Sequence, residues 1–85
     1  MKLVAEISMY PLNEQYLEPI QTFIDRLNSY PQIKVVTTAT NTVISGEYLP
    51  TMQLLAKEMQ RSHQEIGQGI FVCKFLNGDV MSADI

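Results

Sequence analysis

A chain of 85 residues is enough for one domain and too short for two. Hydrophobic residues make up 46%, which excludes a disordered composition, although the core of so small a domain is thin and burial against a second copy would help it. Net charge is -3, and Lys2, Arg26, Lys34, Lys57, Arg61 and Lys74 are dispersed, which argues against nucleic acid and against a polybasic membrane contact, since both need clustered cations.

The first strand is expected over residues 3–10. Leu3, Ala5, Ile7 and Met9 alternate with Val4, Glu6, Ser8 and Tyr10, the pattern of a half-buried strand. Pro11 ends it, because proline cannot donate to a ladder. A helix follows over about 16–29, where Tyr16, Leu17, Ile20, Phe23, Ile24 and Leu27 recur at helical spacing. Pro19 falls in its first turn, where a missing N–H costs nothing. Tyr16 and Tyr30 border this helix and are expected to pack their rings with the hydroxyls in water.

Residues 33–38 and 42–48, rich in β-branched side chains, read as a hairpin around Ala39, Thr40 and Asn41. Gly46 suggests a bulge or a close backbone approach in the third strand. The second helix is expected over 50–65. Its buried stripe is Met52, Leu55, Ala56 and Met59, widened by Leu54, and its wet face is Lys57, Glu58, Arg61 and Gln64. It ends before Gly67 or Gly69. Residues 70–76 form the fourth strand, followed by a turn at Asn77-Gly78-Asp79 and a tail or short extension over the last six residues.

The order is βαββαβ. With right-handed crossovers, strands 1 and 3, and strands 2 and 4, are expected as parallel neighbours. The known solution for this order is the α+β ferredoxin-like sandwich, a four-stranded antiparallel sheet with two helices on one face. Its other face is open and carries apolar residues, so it is where a partner is expected.

Chemistry-bearing residues are sparse. Cys73 is alone and lies in a strand-like apolar run, which reads as a buried, inert thiol. His63 is the one histidine and reads as solvent-facing or capping. No metal-binding spacing, phosphate-binding glycine loop or catalytic triad context is present, so no cofactor or metal is expected. Glu6, Ser8 and Tyr10 share the outward face of the first strand, and an acidic group beside an aromatic ring suits a planar cation. Glu47 could approach Glu6 across the sheet. Thr37, Thr38, Thr40 and Thr42 crowd the hairpin, where β propensity explains most of them; only those near a pocket mouth would bind anything. The N-terminal apolar run is too short for a signal peptide, and no stretch reaches the length of a membrane span, so a cytoplasmic location is expected by elimination.

Three segments carry a family likeness: Ile7-Ser8-Met9-Tyr10-Pro11-Leu12, Tyr16-Leu17-Glu18-Pro19-Ile20 and Thr42-Val43-Ile44-Ser45-Gly46-Glu47. In their order and spacing the chain resembles the thiamine- or hydroxymethylpyrimidine-binding YkoF-like family, over about residues 3–78. The resemblance implies the same fold, self-association into dimers or tetramers through the open sheet, and a pyrimidine site in a groove near a subunit interface. Ser8, Tyr10, Thr42, Ser45 and Glu47 are its ligand-facing candidates by position, with Glu6 added from the strand face as a partner for a cationic thiazolium. One departure stands out. Where the family commonly has a Pro-Met pair ahead of the third strand, this chain has Ala39-Thr40-Asn41-Thr42, a replacement expected to alter the pocket's shape. Three function classes follow: a thiamine or hydroxymethylpyrimidine binding module, a structural or regulatory homo-oligomer without a small ligand, and a small enzyme using His63 or a carboxylate.

Overall fold

The computed structural model describes residues 1–78. The elements are β1 (Lys2–Pro11), α1 (Leu17–Asn28), β2 (Lys34–Thr37), β3 (Thr42–Glu47), α2 (Tyr48–Ile66) and β4 (Gly69–Asn77). The order matches the expectation, and the architecture is an α+β ferredoxin-like sandwich with a four-stranded antiparallel sheet. Asp79 and the expected tail lie outside the described residues.

Strand order across the sheet is β2-β3-β1-β4, and this corrects the expected pairing. β1 and β3 are neighbours but antiparallel, while β2 and β4 occupy opposite edges. The reason is the hairpin. Each helix returns the chain so that β1 and β2 run parallel, and the turn at residues 38–41 folds β3 back into the gap between them. The register runs without interruption from Lys2↔Glu47 to Ile7↔Thr42, so Gly46 makes no bulge. It makes a close approach instead: a Cβ there would stand 2.5 Å from Thr51 Oγ1 and 3.0 Å from Ile33 Cγ2.

Alternation in β1 works as the pattern requires. Leu3, Ala5 and Ile7 are buried, and Ala5 and Ile7 pack in one core with Phe23 and Leu27 of α1, Leu54 and Leu55 of α2, and Ile44 of β3. Phe71 of β4 extends this core, its ring centroid 5.1 Å from that of Phe23. On the outward face Val4 is buried between its neighbours, whereas Val36, Ile70, Val72 and Leu76 are close to half exposed. That surface is the expected open face.

α2 begins at Tyr48, two residues before the expected start, with Tyr48 N–H donating to the Met1 carbonyl at 2.9 Å. Pro50 therefore occupies the first turn, where helix N–H groups have no intrahelical acceptor. The helix closes at Gly67, whose φ of 79° lies in the region that favours glycine and whose N–H donates to the His63 carbonyl. The buried face of α2 is Thr51, Leu54, Leu55, Glu58 and Ser62, rotated from the expected stripe; Ala56 is exposed. Glu58 was expected in water. It is 2% exposed, and Tyr30 accounts for this by donating its hydroxyl to Glu58 Oε2 at 2.6 Å. The Tyr30 hydroxyl is thus a part-buried clasp rather than a wet group. The two helices are also joined by Arg26, whose Nη1 and Nη2 each donate to a Glu65 carboxylate oxygen at 2.6 Å.

Candidate functional site

The Ile7↔Thr42 and Thr37↔Thr42 pairings place three side chains in one row across β1, β3 and β2, on the helix-facing side of the sheet. Ile20, Phe23 and Ile24 of α1 stand over that row. Between them lies a cleft of about 400 Å³, with Tyr10, Pro11 and Tyr16 at its mouth and the hairpin turn along its side. The size falls within the usual range of small-molecule pockets.

The turn that borders the cleft is built by Thr38. Its N–H donates to the Asn41 carbonyl at 2.9 Å, and its hydroxyl donates to Asn41 Oδ1 at 2.7 Å. The same hydroxyl oxygen accepts from the Thr40 and Asn41 N–H groups. This is the local side-chain closure that threonine and asparagine offer a turn lacking an Asn-Gly pair. Ser8 Oγ then donates to the Thr40 carbonyl at 3.3 Å, pinning the turn to β1. The stretch that departs from the family pattern, Ala39-Thr40-Asn41-Thr42, is thus part of the cleft lining.

Of the six expected site residues, the structure brings Ser8, Tyr10 and Thr42 together at this cleft. Thr42 is 5% exposed and faces inward, whereas Ser8 acts through the turn. The other three lie elsewhere. Glu6 is on the open face, its Oε1 3.9 Å from Lys74 Nζ. Ser45 is buried beside Val4 on that same face. Glu47 pairs with Lys2 at the far end of the sheet, six residues along β1 from Ser8, about 20 Å at the usual strand rise. Lys2 Nζ lies 3.3 Å from its Oε1 and the N-terminal ammonium 3.6 Å from its Oε2. Hydrogen bonding and charge from Lys2, with the N-terminus adding to it, hold this carboxyl below the usual range. The cleft also uses residues the sequence did not single out for binding: Thr37, Tyr16 and the α1 trio. The crowding of threonines in the hairpin was the available signal for Thr37.

Other chemistry-bearing groups are committed to the fold. His63 Nε2 lies 3.0 Å from the Gly69 carbonyl, and a carbonyl only accepts, so Nε2 carries the proton. Its ring meets Phe71 edge-on at 5.2 Å. Together these contacts tie the end of α2 to the start of β4. Burial pushes the Cys73 thiol up, away from the thiolate form. A second cleft lies between the helices, and two of its three charged members, Arg26 and Glu65, are paired with each other, the third being Glu18. Among the described residues no group of three or more His, Cys, Asp or Glu side chains is placed to hold a metal ion, and no helix is long and apolar enough to cross a membrane.

The chain matches no family model and no curated protein. Solved structures do match it. Protein SP2199 of Streptococcus pneumoniae superposes with a TM-score of 0.86 at 24% identity, covering 99% of this chain and 94% of that one. A Thermotoga maritima protein, TM0486, provisionally assigned to thiamine biosynthesis or salvage, gives a TM-score of 0.83 at 19% identity, covering 92% and 85%. MJ1052 of Methanocaldococcus jannascii gives 0.78 at 21% identity, covering 92% and 81%. At these identities the likeness establishes the fold.

Proposed function

We propose that this protein binds a small molecule without chemical turnover, the ligand being thiamine or its hydroxymethylpyrimidine moiety. The observation that carries the reading is the cleft: apolar walls from α1, Tyr10 and Tyr16 among its lining residues, and Thr37 and Thr42 in one row. Pockets of this make-up, with a few fixed polar groups in apolar surroundings, are what small ligands occupy. An aminopyrimidine is flat and has donors and acceptors on its edge, and a hydroxyl serves either role. The thiamine assignment of the Thermotoga protein of the same fold supports this choice of ligand. Calorimetric titration with thiamine and hydroxymethylpyrimidine tests it. Heat of binding at micromolar to millimolar ligand is expected, and none at millimolar ligand would refute it.

The open sheet face supports self-association of the same protein into a dimer or tetramer. Val36, Ile70, Val72 and Leu76 leave apolar surface exposed there, and a second copy would cover it. Glu6 and Lys74 sit in the same face, so a twofold partner whose axis passes between them would set each opposite the other's complement. Sedimentation at micromolar concentration should show a dimer or larger species; monomer alone would refute it.

A further inference from the structure

The cleft that is proposed to hold ligand has no charge of its own. Among the described residues, every side chain lining it is apolar, aromatic, amide or hydroxyl. The carboxylates expected to face a cation are engaged elsewhere, Glu6 with Lys74 and Glu47 with Lys2 and the N-terminus. We infer that the cleft selects an uncharged, flat heteroaromatic ring, holds its edge with the Thr37 and Thr42 hydroxyls, and rejects a ring that bears charge of either sign. This rests on the small-molecule reading and narrows it: a neutral ring is favoured over any cationic or anionic one of similar shape.

The physical basis is desolvation. A charged ring seated against Ile20, Phe23 and Ile24 loses hydration, and no opposite charge among the lining residues replaces it. A neutral ring loses far less, and its edge recovers hydrogen bonds from hydroxyls that can donate or accept. Thr42 is suited to that task. It is nearly buried, it sits on a strand paired on both sides, and its branched side chain is stiff about χ1.

Three pyrimidines separate charge from shape: 4-amino-5-hydroxymethyl-2-methylpyrimidine, its ring-N-methylated pyrimidinium, and orotate as a ring bearing a carboxylate. Titrated calorimetrically into the full chain, the neutral ring is expected to bind at least about tenfold more tightly than either charged one. Thr42→Val should weaken the neutral ring by roughly three- to tenfold, the loss of one hydrogen bond. Thr37→Val, at a more exposed position, provides the same reading should the first variant fail to fold. If the charged rings bind as well as the neutral one, the charge selection is wrong and the small-molecule reading stands. If none of the three binds, both fall. Selective binding that neither valine variant weakens overturns the role given to the hydroxyls.

Discussion

Tyr30→Phe removes one oxygen and keeps the ring, so it isolates the clasp between α1's end and α2. The Glu58 carboxylate is 2% exposed. Its Oε2 accepts from the Tyr30 hydroxyl at 2.6 Å, while its Oε1 has no hydrogen-bond partner among the described residues and lies 3.9 Å from Arg61 Nη1. Without the hydroxyl, a buried carboxylate keeps only that long contact. Hydrogen bonds to charged groups contribute about 1.5–3 kcal/mol, and orphaning a buried charge costs at the upper end of that range. We expect a loss of about 2–3 kcal/mol, which for a domain of this size lowers Tm by roughly 10–20 °C. Urea unfolding followed by circular dichroism measures it, at fixed protomer concentration because association adds to apparent stability. The midpoint should fall with an unchanged slope. The double variant Tyr30→Phe/Glu58→Leu should be more stable than Tyr30→Phe alone, since it removes the orphaned charge with its partner. A loss below about 0.5 kcal/mol for Tyr30→Phe, within the range of ordinary surface substitutions, would refute the reasoning.

The same clasp has a pH signature. The hydrogen bond to Glu58, then burial and the charge of Glu58, raise the Tyr30 phenol above its ordinary value. A group whose pKa is higher folded than unfolded contributes stability that is whole below the unfolded pKa, near 10 for tyrosine, and is lost as pH rises through the folded value. Wild type should therefore lose stability on the alkaline side in a way that Tyr30→Phe does not.

The acid side has the opposite sign. Hydrogen bonding to Arg26, followed by its charge, holds the Glu65 carboxyl low, so its contribution is present above the ordinary glutamate pKa and disappears as pH falls through the folded value; Glu65→Gln should flatten the acid limb of a pH–stability curve, and an unchanged limb would count against it. Gly46→Ala should cost about 1–3 kcal/mol in urea unfolding, because its Cβ meets Thr51 Oγ1 at 2.5 Å and a packed site must shift; a neutral result would show that Thr51 turns aside freely. Val72→Glu, on the open face, should shift sedimentation toward monomer while circular dichroism stays native, and undisturbed association would place the interface elsewhere. Cys73, half-buried with its thiol pushed up, should react with a thiol reagent slowly when native and at the free-thiol rate in urea.

Element order was legible because each segment carries its own period: alternation in Leu3–Met9 and a 3.6-residue stripe in Leu17–Leu27. Strand direction and the edges were not legible, since nothing local in β1 records that β3 runs antiparallel to it or that β4 takes its other side instead of lying beside β2. Glu58 failed for a related reason. Periodicity assigns a glutamate to water, and the partner that permits its burial is 28 residues away in sequence. No helical pattern carries that information.

The site was legible at one end of the sheet and not at the other, and antiparallel pairing explains the split. Ser8 and Tyr10 come late in β1, and an antiparallel β3 brings its beginning, Thr42, to that end and carries Glu47 away to Lys2. Candidates taken from the whole of a β3 motif are therefore divided by the register itself: its first residue reaches the cleft and its last cannot. The α1 wall was hidden for a different reason. Ile20, Phe23 and Ile24 belong to one stripe with Leu27, and the sequence does not show where that stripe stops filling the core and starts lining a cavity. Phe23 and Leu27 are buried, while Ile20 and Ile24 are only partly covered. The boundary falls where β2 ends at Thr37 and the hairpin turn takes over beside α1. A cleft arises there because a four-residue strand is too short to keep the sheet under the whole of a twelve-residue helix. The length of β2, more than any single polar residue, is what opens the site.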